Sequence, residues 1–258
     1  MFTPILSLLL AQAAVSVQPV EQDRLQLCLE QARTDPATAI ATADGWLAEA
    51  AGAERSLPGQ CLGSAYVSLL RWDAAQAAFL AARDARPAED GAIRARLGAM
   101  AGNAALAAGD HAAALAALDR ALADAAQGGG GESELAGTIA ADRARALVGL
   151  GREDEAAAML EQARRNAPQQ AEVWLLSATL ARRQDALEEA QGYIETAAAL
   201  APDDPAIGLE AGLIAALDGR DDTARTSWRS VIAAAPGSPE SVAAGEYLAQ
   251  LDGAPPSR

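Results

Sequence analysis

Three stretches of the chain repeat one pattern of small, apolar and polar positions. Ala156-Ala157-Ala158-Met159-Leu160-Glu161-Gln162-Ala163, Ala190-Gln191-Gly192-Tyr193-Ile194-Glu195-Thr196-Ala197 and Ala224-Arg225-Thr226-Ser227-Trp228-Arg229-Ser230-Val231 each run, four residues later, into Ala-Pro. The prolines are Pro168, Pro202 and Pro236, spaced by 34 residues and 34 again. A fixed period of this length with helix-forming content marks a stack of like units, each too small to bury its apolar face alone. The pattern predicts helix pairs in units at 137–170, 171–204 and 205–238, and the same frame extends back to units at 56–89 and 95–128. In front of them, residues 21–55 predict a degenerate pair with helices at 21–33 and 36–50. Pro36 suits the start of the second of these, because its missing N–H would be unpaired there anyway. Ser238 predicts the N-cap of a last helix at 239–251.

The unit at 56–89 carries the clearest motif: Leu62-Gly63, Tyr66, Ala75, Phe79, Ala82 and Pro87 fall at positions 7, 8, 11, 20, 24, 27 and 32 of the frame. In this the chain resembles the tetratricopeptide repeat, TPR. The resemblance implies an all-α fold, a right-handed α-solenoid of antiparallel helix pairs closed by a C-terminal capping helix. The other units match it residue by residue. Gly102 and Ala114 are the small positions of the unit at 95–128, with Gly109 at its turn and Ala126 in place of the closing proline. Ala144, Ala156 and Pro168 follow in the next, then Trp174, Ala178, Ala190 and Pro202, and finally Gly212, Ala224, Trp228 and Pro236. Small residues at positions 8 and 20 let two helices approach closely, while larger ones at 11 and 24 fill the space beside the contact.

Two inserts interrupt the period, one at 90–94 and one at 129–136. The second holds the run Gly128-Gly129-Gly130-Gly131-Glu132-Ser133, which has no lysine and no helix-opening Ser or Thr of a phosphate loop and reads as a flexible hinge. The expected organisation is a degenerate pair at 21–55, repeats one and two at 56–128, a hinge at 129–136, repeats three to five at 137–238, a capping helix at 239–251 and a disordered tail at 252–258.

Composition agrees with close-packed helices. Hydrophobic residues make up 51% of the chain and aromatic ones only 3%, so the apolar content is chiefly alanine and leucine, and strands are not expected. A formal charge of -15 argues against nucleic acid or an anionic membrane as the main partner. No segment after the N-terminus approaches the roughly 20 uninterrupted apolar residues of a membrane span.

The first residues differ in kind. Phe2-Thr3-Pro4-Ile5-Leu6-Ser7-Leu8-Leu9-Leu10 leads into Ala11-Gln12-Ala13-Ala14 with no charge before Glu21. This reads as a signal peptide at 1–14, and so as export to the periplasm, although basic residues before the apolar run are missing. The alternatives are a packed first helix in a cytoplasmic protein or an uncleaved membrane anchor. Export would place Cys28 and Cys61, 33 residues apart and on equivalent helices of neighbouring units, where a disulfide persists. A bridge and a pair of buried free thiols both fit the sequence. Two cysteines and one histidine are too few for the usual four-ligand zinc site, so neither metal nor cofactor is expected.

The residues that invite chemistry have plainer roles. His111, the lone histidine, falls at position 17 beside the turn, where the preceding unit has Trp72, and reads as a packed ring. Glu153-Asp154-Glu155, Glu188-Glu189 and Asp221-Asp222 fall at positions 17 to 19, where carboxylates meet the positive end of a helix. Trp46, Trp72, Trp174 and Trp228 read as packing. An enzyme is not expected.

In the repeat that the chain resembles, partners bind the concave face lined by the first helix of each unit. The groove residues this implies are Arg96, Met100, Asn103, Thr138, Asp142, Arg145, Leu175, Thr179, Arg182, Arg183, Leu209, Glu210 and Leu213. Four arginines among them suit an acidic segment or a C-terminal carboxylate, through forked hydrogen bonds. Pairing of those arginines with neighbouring Glu and Asp is the alternative. The function expected is a non-enzymatic adaptor of the bacterial envelope that binds a protein or peptide, with no nucleic acid and no span in the mature chain. An assembly subunit docking through its convex face or end helices is the other reading, and the oligomeric state is left open.

Overall fold

The structure is a computed structural model, and it describes residues 17–253 apart from 130 and 132. The expected signal peptide at 1–14 and the tail from 254 lie outside these residues. Among the described residues the chain is all helix. The elements are α1 (Val17–Thr34), α2 (Pro36–Glu49), a 3₁₀ turn (Gly52–Arg55), α3 (Ser56–Ser68), α4 (Trp72–Ala85), α5 (Gly91–Ala107), α6 (His111–Gln127), α7 (Glu134–Gly149), α8 (Glu153–Asn166), α9 (Ala171–Arg183), α10 (Leu187–Leu200), α11 (Pro205–Leu217), α12 (Asp221–Ala234) and α13 (Pro239–Gly253).

Helix starts follow from capping residues. The Asp35 carboxylate accepts from the Thr38 amide at 3.2 Å and the Thr38 hydroxyl at 2.6 Å, which holds that carboxyl below its usual range and opens α2. Asp110, Ser133, Asp204 and Ser238 accept from the amides of Ala113, Ala136, Ala206 and Ser241 in the same way.

Within each of the five pairs from α3 to α12 the turn is built alike. Leu70, Gly109, Gly151, Asp185 and Gly219 all have positive φ. The amide that follows each donates back to the preceding helix, as in Asp110 to Ala105 and Arg220 to Ala215. Three of the five are glycine, the residue with least strain there. Leu70 takes the same turn with its side chain exposed.

Across each pair, position 8 faces position 24. A Cβ added at Gly63 would lie 2.5 Å from the Phe79 ring, and one at Gly102 would lie 2.6 Å from Leu118. Gly212 is covered as closely by the Trp228 indole. The two remaining units set Ala144 with Leu160 and Ala178 with Ile194, all buried. Position 24 therefore sits directly on position 8, not beside it, which sharpens the steric expectation.

Three boundaries differ from the expected frame. Residues 91–94, within the insert expected at 90–94, form the first turn of α5, which like α6 runs to 17 residues. The extra turns pack on each other, since a Cβ at Gly91 would meet the Asp124 carbonyl oxygen. Residues 134–136 likewise belong to α7, and α13 extends past 251 through Asp252, whose carboxylate meets Arg225 at 2.9 Å. The core runs across the glycine-rich connection: Ala136, Ile139 and Ala146 of α7 pack with Ala114, Leu118 and Ala121 of α6.

Consecutive helices pack along the whole stack. First helices of neighbouring pairs also touch, as in α1 with α3, α5 with α7, α7 with α9 and α9 with α11. The second helices make no comparable contact with one another. The stack therefore curves, with the first helices on the inside.

Candidate functional site: the inner face

Among the described residues this inner ladder is loosest between α3 and α5, which approach each other less than their counterparts do. A cavity of about 570 Å³ opens there. Leu29, Ala32 and Arg33 of α1 form one wall, and Gln60, Ser64, Val67 and Ser68 of α3 the next. Met100, Asn103 and Ala104 of α5 face them, with Trp72 and Phe79 of α4 behind. Among the described residues the lining is apolar with neutral polar groups, and Arg33 is its only formal charge. Such a volume and lining suit apolar side chains or a small apolar ligand.

Cys28 and Cys61 form a disulfide that joins α1 to α3 with a Cα separation of 5.9 Å. Both residues are buried, in a small cluster with Leu25, Ala43 and Trp46. The Arg24 guanidinium lies 4.5 Å from the Trp46 ring and pairs with Glu49 at 3.1 Å, closing that cluster from outside.

Farther along, where the first helices touch, the inner face is polar and internally paired. Arg182 donates to Glu210 through Nε at 2.6 Å and Nη2 at 3.3 Å, linking α9 to α11 with both side chains largely buried. Arg183 meets Glu153 at 2.6 Å. Arg145 lies 3.2 Å from Asp142 and 3.5 Å from Glu172. Burial pushes the Asp142 carboxyl above its usual range, opposed by its hydrogen bond with Asn103 and by the charge of Arg145. A cleft of about 150 Å³ remains between α7 and α9, lined by Arg145, Val148, Thr179 and Arg183 among others.

The groove residues expected from the sequence thus divide. Asn103 lines the large cavity together with Met100. Arg145, Thr179 and Arg183 line the small cleft, and Arg182 is spent on Glu210. Thr138 is half-buried, its hydroxyl donating to the Leu135 carbonyl at 2.9 Å. Leu175 packs into the core around Ile194, and Leu213 into that around Trp228. Arg96 is exposed. Sequence reasoning missed the α3 wall, although frame positions 5, 9, 12 and 13 of that unit are Gln60, Ser64, Val67 and Ser68. It also missed the contribution of α1, which has no repeat consensus to mark it.

His111 sits at the start of α6 with its ring against Gly149 of α7, where an added Cβ would collide with it. Trp174 packs near Tyr193 at 6.1 Å and Trp228 near Tyr247 at 5.4 Å. Among the described residues no group of His, Cys, Asp and Glu is placed to hold a metal ion, and no helix is long and apolar enough to cross a membrane.

Comparison with solved structures identifies the fold. The chain is similar to PilF of Pseudomonas aeruginosa, with a TM-score of 0.69 and 17% identity over 90% of this chain and 98% of that one. It is similar to PilW, described as a widely conserved type IV pilus biogenesis factor, with a TM-score of 0.68 and 21% identity over 86% and 96%. The third is YrrB, described as a TPR protein with an unusual peptide-binding site, with a TM-score of 0.51 and 18% identity over 79% and 97%. No protein-family model matches the sequence, and no curated protein matches it. At these identities the likeness establishes the fold, a solenoid of tetratricopeptide-type helix pairs.

Proposed function

We propose that the protein is a non-enzymatic interaction scaffold of the bacterial envelope that binds a segment of another protein along its inner face. The observation that carries this reading is the cavity between α3 and α5, an apolar site that no other described residue covers, on the face where the first helices converge. A preformed surface of this kind binds with little ordering cost, and apolar side chains of the partner supply the energy. The apolar run and Ala-x-Ala pattern of the first residues support export, and the likeness to PilW, a type IV pilus biogenesis factor, fits an envelope role.

An acidic segment or terminal carboxylate is served best at Arg33 and Arg96. At Arg145, Arg182 and Arg183 an incoming carboxylate would have to displace one already in place. Capture of partners from an envelope extract tests both parts. Met100→Glu places a charge in the cavity and abolishes capture if the reading holds, whereas Arg96→Glu reduces it only for an acidic partner. Unchanged capture by both variants refutes the inner-face assignment.

A second reading, an assembly subunit docking by its edge, is favoured by one observation. Leu69, Leu70, Leu150 and Leu217 are exposed at or beside the turns that join first to second helices, and Leu70 occupies a backbone conformation that leucine rarely adopts. Light scattering decides it: a constitutive oligomer that Leu70→Gly dissolves supports docking through that edge, and a monomer before and after the substitution counts against self-assembly there.

A further inference from the structure

The disulfide ties two walls of the cavity together from behind. Cys28 is followed by Leu29 and Cys61 is preceded by Gln60, and both neighbours line the cavity. One helical turn farther on, Ala32 and Arg33 of α1 and Ser64 of α3 line it too. Three of the four walls are fixed without the bridge: α3 by Gly63 against Phe79, α5 by Gly102 against Leu118, and α4 by its packing between α3 and α5. α1 is different. Its packing is chiefly on α2 and α3, its residue Leu27 is 69% exposed, and two of the five buried members of its larger core cluster are the bridged cysteines themselves, while its other buried contact is Ala32 with Ala39 and Ala65.

We propose that oxidation of Cys28 and Cys61 completes the binding site, by fixing α1 as the wall opposite α5. This rests on reading the inner face as the binding face, and adds its regulation. The reaction is thiol–disulfide exchange with a disulfide-bearing oxidant: the thiolate of one cysteine attacks the oxidant's disulfide to give a mixed disulfide, and the other cysteine's thiolate displaces the oxidant sulfur. One S–S bond forms between Cys28 and Cys61 as the oxidant's own S–S bond breaks. The two cysteines lose two electrons and two protons, and the oxidant leaves as two thiols. The reduced chain keeps its repeats and lacks a defined fourth wall. Both sulfurs are buried, so exchange in either direction passes through opening of α1.

Two methionines make the test internal. Met100 lines the cavity on α5, whereas Met159 packs in the separate core around Leu147 and Leu160. Methyl-labelled methionine spectra are recorded for the oxidised protein, for the same sample reduced by excess dithiothreitol with its thiols counted, and for Cys28→Ser/Cys61→Ser. Reduction moves or broadens the Met100 signal and leaves Met159 in place, the double variant reproduces the reduced spectrum, and amides of α1 exchange roughly a hundredfold faster or more. A Met100 signal indifferent to reduction overturns the proposal. Movement of both signals overturns it as well, because the bridge then holds the whole stack and not one wall. Failure of the binding reading is seen separately, as partner capture unaffected by Met100→Glu while Met100 still answers to reduction.

Discussion

Two stretches of the inner face, built from the same repeat, have opposite chemistry. Between α7 and α11 the first helices touch, and long side chains from one reach carboxylates on the next, as Arg182 reaches Glu210 and Arg145 reaches Glu172. Between α3 and α5 the approach is looser, and Val67, Met100 and Phe79 are left beside a cavity. The spacing of first helices, more than the composition of any one helix, decides which kind of surface forms. Charged residues close a narrow interval by pairing, while a wide interval leaves apolar positions for something else to cover.

The largest effect expected from disturbing this contrast is loss of the bridge. Cys28→Ser/Cys61→Ser removes a cross-link over 33 residues and costs about 3 to 4 kcal/mol on the loop-entropy estimate. Denaturation followed with hydrogen exchange would show the loss concentrated in α1 and α2, with α7 to α11 protected as before. Next comes the packing contact common to both stretches: Gly63→Ala and Gly212→Ala each push a methyl into a buried ring and cost about 1 to 3 kcal/mol in thermal melts. Gly45→Ala is the control, since its Cβ meets nothing within 4 Å in mid-helix, and it stabilises by about 0.5 to 1 kcal/mol.

The repeats could be read from the sequence because helix approach demands small residues at fixed positions, and Gly63, Ala178, Gly212 and the 34-residue prolines record that demand directly. The extra turns of α5 and α6 could not. Residues 90–94 break the period, and nothing local separates a loop from a lengthened helix until Gly91 is seen against Asp124. For the candidate site the arginines and the option of their pairing with nearby carboxylates are visible in the sequence, but which carboxylate each one meets is not. The pairing of Arg182 with Glu210, 28 residues on, depends on how closely two first helices approach. The cavity depends on how loosely α3 and α5 approach each other, which no single residue announces.

Smaller effects sharpen the electrostatic half of the comparison. Glu210→Gln leaves the Arg182 guanidinium largely buried without its charge partner and costs about 1 to 2 kcal/mol in urea denaturation, whereas Arg96→Gln, exposed, changes stability by less than about 0.5 kcal/mol. The smallest is a pH effect. The folded-state Asp142 carboxyl is raised above its ordinary value, so the folded state holds its proton longer than the unfolded chain does. Stability from this group is full below the ordinary carboxyl range and is lost as pH rises through the raised value. Asp142→Asn removes that decline, which matched stability curves at several pH values would show.

The central claim is that the wide interval, not the paired arginines, receives the partner. Photocrosslinking decides it most directly, with benzoyl-phenylalanine placed at Ser68 on the cavity rim or at Thr179 in the narrow cleft, each in the oxidised full chain exposed to an envelope extract. The account predicts one discrete adduct from Ser68 that Met100→Glu abolishes, and none from Thr179. A discrete adduct from Thr179 alone would contradict it.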